Sequence, residues 1–152
     1  MAAFPDVHSL VPQRGPSSLL DAVLSAGPEG TECRATIPPD HAYMTSSGVH
    51  PLLAMELFAQ AAAVHRALTL GPTAAADQAG HLAAADVRMQ AARLDAPATL
   101  LVRITPGPGF GGLLRFAGEL FLEGEQRVLV AEGEVTVAPS RGPGAKSPED
   151  GA

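Results

Sequence analysis

The chain has no tryptophan, one cysteine and one tyrosine, and aromatic side chains make up only 4% of its 152 residues. Its core must therefore be built from Ala, Leu and Val. The single cysteine, Cys33, excludes an internal disulfide and a cysteine-rich metal site. Positive charge is scarce, with 10 Lys and Arg against 16 Asp and Glu and a net charge of −6. That balance argues against a nucleic-acid partner, which would need a basic face. The sequence does not open on a basic stretch followed by an apolar run, so no signal peptide is expected and a cytoplasmic location is the default. No two of the histidines stand at ligand spacing with a third ligand nearby, so neither a metal nor another cofactor is expected. One apolar segment is long enough to suggest a membrane span. It carries Glu56, Gln60, His65 and Arg66, which argue against that reading.

That segment, His50 to Leu70, is the stretch around which the chain is organised. Pro51 suits the first turn of a helix, where a backbone N–H has no intrahelical partner. Gly71-Pro72 is a stop signal. Ala, Leu and Met fill the interval and favour helix. The helix is apolar nearly all round, so it is expected to be buried, with Ala59, Ala61, Ala62 and Ala63 letting a sheet approach its backbone. Glu56 stands out there, because a carboxylate in the first turns of a buried helix is costly unless it is paired or has a task. Gln60 lies one turn further on the same face.

Before the helix, residues 1–18 are Pro-rich and irregular. Leu19 to Leu24 is an apolar run too short to distinguish strand from helix by periodicity. Thr31 to Ile37 reads as a strand after the Gly27-Pro28-Glu29-Gly30 turn, and Asp40 to Val49 as a loop. After the helix come four strand candidates, His81–Gln90, Ala98–Thr105, Leu113–Glu123 and Arg127–Ala138. Pro106-Gly107-Pro108-Gly109 is expected to turn between the second and third. Residues 1–139 thus form one domain, and the Gly, Pro, Ser and charge of 140–152 read as a disordered tail. The class is α+β, an antiparallel sheet wrapped around one long buried helix. A single sheet of this kind leaves an open edge, which pairing with a second copy would close, so a dimer is expected.

This arrangement resembles the hotdog fold. Leu10-Val11-Pro12-Gln13-Arg14-Gly15-Pro16-Ser17-Ser18-Leu19-Leu20-Asp21-Ala22-Val23 is similar to the LPHR-P-LL-D-V opening of the β-hydroxyacyl-acyl carrier protein dehydratases. Glu56-Leu57-Phe58-Ala59-Gln60 matches their helix motif, E-x-x-A-Q. The likeness runs from about Val7 to Pro139. It is nearest the divergent branch that includes dehydratase-like proteins of aryl polyene and related polyketide clusters.

The resemblance implies dehydration of a 3-hydroxyacyl thioester on acyl carrier protein to the trans-2-enoyl thioester. A loop histidine of one subunit takes the C2 proton, and a helix carboxylate of the other gives a proton to the leaving hydroxyl. The C2 proton is weakly acidic, so a positioned base and a polarised thioester carbonyl are both needed. Glu56 is the candidate carboxylate, and Gln60 would orient it or a water. His41 is the preferred candidate base, 15 residues before Glu56, with His50, six before it, as the other histidine in reach or a helix-entry residue. Tyr43 and Phe110 are candidates to line an apolar acyl tunnel. Arg14, Arg66, Arg88 and Arg93 are candidates to meet an acidic carrier protein, with solvated surface charge as the plainer reading.

The family motif G-H-F-P-x-x-P-x-x-P-G is absent. The glycine whose N–H meets the thioester carbonyl in the family aligns with Pro51, which has no N–H. Two alternatives therefore stand beside catalysis by a homodimer. One is a non-catalytic hotdog subunit that pairs with an active dehydratase in a heterodimer. The other is a hotdog thioesterase.

Overall fold

The computed structural model describes residues 4–10, 19–38, 40, 44–45, 48–71, 80–90 and 98–139. His41, Tyr43, Arg14, Arg93 and the expected tail at 140–152 lie outside them. A short 3-10 turn, Val7–Ser9, precedes strands β1 (Leu20–Gly27) and β2 (Gly30–Ile37). A small ribbon, β3 (Met44–Thr45) and β4 (Gly48–Val49), stands where a loop was expected and leads into helix α1 (Pro51–Leu70). Strands β5 (Gly80–Met89), β6 (Ala98–Phe110), β7 (Leu113–Leu122) and β8 (Val128–Pro139) follow. The ambiguous run at Leu19 is therefore the start of a strand.

The six long strands form one antiparallel sheet in the order β1-β2-β6-β7-β8-β5. The β2–β6 ladder is unbroken from Thr31↔Ile104 to Ile37↔Ala98. Alternation along these strands sends Thr31, Cys33, Ala35 and Ile37, then Ala98, Leu100, Val102 and Ile104, to the buried face. Phe116, Gly118 and Leu120 of β7 continue that face, and Leu53, Leu57, Phe58, Ala61 and Val64 of α1 pack within the same core. Cys33 is fully buried, and burial, then the charge of Glu32, push its thiol up to about 12. It is consequently a small apolar core residue rather than a nucleophile.

The expected turn at Pro106–Gly109 is not a turn. β6 runs on to Phe110, and the chain reverses at Gly111-Gly112, whose φ values are 56° and 80°. A two-residue hairpin of this twist needs positive φ at both central positions, which glycine supplies without strain. Pro106 and Pro108 are tolerated because β2 stops pairing at Ile104, leaving that side of β6 without a ladder to break.

The outward face is polar. Glu32 bridges Arg103 at 3.1 Å and Arg127 at 3.0 Å, and both guanidinium groups lie over the Phe121 ring. Among the described residues no helix is long and apolar enough to cross a membrane.

Candidate active site

Both ends of α1 are fixed by the residues that the sequence singles out. Pro51 occupies its first turn, and the Gly71 N–H donates to the Ala67 carbonyl at 2.9 Å with φ at 90°. His50 is the N-cap. Its Nδ1 accepts from the Leu52 N–H at 3.1 Å, and its carbonyl accepts from the Leu53 N–H at 2.9 Å. An imidazole accepting at Nδ1 keeps its proton on Nε2. The three peptide nitrogens at the helix start are thus accounted for. Pro51 has no N–H, and those of Leu52 and Leu53 are held by His50.

The helix is not buried all round. Leu52, Met55, Glu56, Ala59 and Ala63 are half-buried or exposed, with Leu52 at 41%. Spacings of three, four, seven and eleven residues place them on one stripe. The remainder of α1, from Leu53 to Ala67, turns into the core. Ala61 and Ala62 accordingly pack inside, whereas Ala59 and Ala63 lie on the open stripe. Glu56 is the stripe's one charged side chain, framed by apolar neighbours.

Gln60 is fully buried, and its Oε1 accepts from the Leu19 N–H at 2.9 Å. It anchors the chain where β1 begins, a use for a buried amide that a sequence motif does not reveal. Phe110 is 60% exposed at the β6–β7 turn, with the Arg115 guanidinium 5.8 Å from its ring centroid. It is therefore a surface residue of the single chain. Arg66 is only 8% exposed, which removes it from a carrier-docking surface, and burial lowers its proton affinity. Arg88 is exposed, with its guanidinium 3.6 Å from the Glu132 carboxylate. Among the described residues no group of three or more His, Cys, Asp or Glu could hold a metal ion.

The sequence model of the ApeP-like family, described as ApeP dehydratase, matches residues 5–145. The chain belongs to this family. Solved structures share its hotdog fold. The dehydratase heterocomplex ApeI:P from Xenorhabdus doucetiae superimposes with a TM-score of 0.75 at 22% identity, covering 91% of this chain and 93% of that one. Thioesterase superfamily member 2 of zebra fish gives 0.65 at 14% identity, covering 86% and 90%. The smu.793 protein of Streptococcus mutans, bound to acetyl CoA, gives 0.61 at 11% identity, covering 86% and 95%. No curated protein matches the chain.

Neither the family motif nor the helix pattern points to a second polar pair. His65 is 6% exposed and Thr31 2%, and Thr31 Oγ1 lies 2.9 Å from His65 Nδ1. The His65 ring stands edge-on to Phe116. Burial lowers its proton affinity, so the ring stays neutral in the folded chain where a solvated histidine would begin to charge. As pH falls below about 6.5, the unfolded chain takes up this proton first, and stability is lost toward the lowered folded value. Urea unfolding at about pH 7.5 and about pH 5.5 tests this. The stability difference between the two should be smaller in His65→Asn than in the parent chain.

Proposed function

We propose that this member of the family is a subunit of a hotdog dimer that dehydrates 3-hydroxyacyl groups carried on acyl carrier protein. The observation that carries the reading is the position of Glu56. It is the one carboxylate on an apolar helix stripe that a single chain leaves partly open. A second hotdog subunit laid over that stripe would desolvate Glu56 and bring a loop imidazole toward it, the partner's equivalent of His41. The imidazole takes the C2 proton, and Glu56 protonates the departing 3-hydroxyl, so that water leaves and the trans-2 double bond forms. The open edge strand β5, with Leu82 exposed, supports pairing on the same grounds.

A non-catalytic pairing role is favoured by one specific feature, the helix start. An oxyanion donor is worth about a hundredfold or more in rate. Here the amides of residues 51–53 offer none while His50 caps the helix. That reading places the productive oxyanion contact in a different subunit, and a similar solved structure is itself a dehydratase heterocomplex.

One assay separates the readings. The chain alone, and the chain mixed with a second hotdog dehydratase subunit, are each given a 3-hydroxyacyl group on acyl carrier protein. Enoyl thioester formed by the chain alone supports the homodimer. Enoyl thioester formed only by the pair supports a heterodimer. Release of free thiol instead of the enoyl product would replace the dehydratase reading with thioester hydrolysis.

A further inference from the structure

A cavity of about 480 Å³ opens at the other end of α1 from Glu56, between the helix C-terminus and the β1–β2 turn. Its walls include Phe4, Ala26, Pro28 and Leu68, with Thr31 and His65 as its principal polar groups. Glu56 and His65 are nine residues apart on the helix, roughly 14 Å along its axis at 1.5 Å per residue. The cavity is therefore separate from the candidate dehydration site.

The size lies within the range of about 300–1,000 Å³ typical of small-molecule sites and well above a packing defect. Its chemistry is specific. Among the described residues, none of those lining it is an Asp, Glu, Lys or Arg. Thr69, also in the wall, spends its hydroxyl proton on the carbonyls of His65 and Arg66 at 2.9 and 3.2 Å. The Thr31–His65 contact occupies Nδ1, so Nε2 is the ring's remaining polar atom. If the Thr31 hydroxyl donates to Nδ1, Nε2–H is a donor. If Nδ1–H donates to Thr31, Nε2 is an acceptor. A hydroxyl head group satisfies either arrangement, since it donates and accepts. An anion would meet a neutral imidazole close to the negative end of the helix dipole. A cation would meet no counter-charge among the described lining residues.

We propose that this cavity is a second ligand site, which takes a neutral amphiphile with an apolar body and one hydroxyl head directed at the Thr31–His65 pair. The site does not depend on what Glu56 does.

Titration of the full-length protein with octan-1-ol, octanoate and octylamine, followed by the amide shifts of Thr31, Leu68 and Thr69 and the His65 ring signals, tests the proposal. Octan-1-ol should shift these signals saturably, and both charged analogues should bind at least about tenfold more weakly. Leu68→Trp, which fills the cavity, should abolish the shifts. Ala26→Met narrows it from the turn side and should weaken binding if the Trp variant does not fold. His65→Phe keeps the ring volume and should lose about tenfold in affinity for octan-1-ol while holding what apolar binding remains. Absence of saturable shifts with octan-1-ol would overturn the proposal. So would shifts that persist in both filled variants, or octanoate or octylamine binding as tightly as the alcohol.

Discussion

Glu56→Gln should lower dehydration by about a hundredfold or more in the assembled dimer while leaving its mass and melting temperature unchanged. The substitution keeps size and shape and removes only the ability to hand over a proton. Glu56 is half-buried on the helix stripe, outside the apolar core, so folding does not rest on it. The loss should appear in kcat as much as in kcat/KM, because a proton donor acts on the leaving hydroxyl in the transition state and contributes little to holding the thioester. The measurement is enoyl thioester formed per dimer over time, beside the dimer mass and a thermal melt. Full activity in Glu56→Gln would remove Glu56 from the chemistry and leave the chain as the pairing subunit. Loss of activity together with loss of the dimer would make Glu56 an interface residue instead.

Much of this architecture is legible in the residues, and the failures have physical causes. Pro51 and Gly71 marked the ends of α1 because both act through their own backbone, whatever packs nearby. The β2 pattern was equally plain, since alternate residues from Thr31 to Ile37 face the core. Local chemistry alone misplaces the β6–β7 turn. Pro106-Gly107-Pro108-Gly109 carries strong local turn chemistry, yet a two-residue hairpin selects the pair that can hold positive φ, Gly111-Gly112. The open stripe of α1 was hidden for another reason. A helix of Ala, Leu and Met offers no polar contrast by which to tell the covered face from the uncovered one. Glu56 was conspicuous as a charge on that helix, but its place on the stripe came only from packing. His50 reads from the sequence as a helix-entry residue or a second candidate base, and the capping bond of its side chain is not apparent there because histidine is not among the usual N-cap residues. The Thr31–His65 pair spans 34 positions and has no local signature. A histidine deep in an apolar helix was the only available signal.

Gly118→Ala should destabilise the protein by about 1–3 kcal/mol, although it adds a single methyl group to a strand. Gly118 faces Phe58, which is fully buried. A Cβ at position 118 would come within 2.7 Å of the Phe58 ring, closer than side-chain carbons approach. The ring has no free direction in a packed core, so either it leaves its rotamer or α1 lifts from the sheet. Strain of this origin is specific to the pair. Phe58→Leu removes ring volume and costs stability by itself, yet Gly118→Ala combined with Phe58→Leu should cost less than the two separate losses added together. Urea unfolding of the four proteins measures the coupling. An additive result, or a Gly118→Ala protein as stable as its parent, would mean that the ring and the strand do not meet as described. Lifting α1 would also move Glu56, two residues before Phe58. Dehydration by the folded Gly118→Ala protein should therefore fall, and Phe58→Leu should restore part of it.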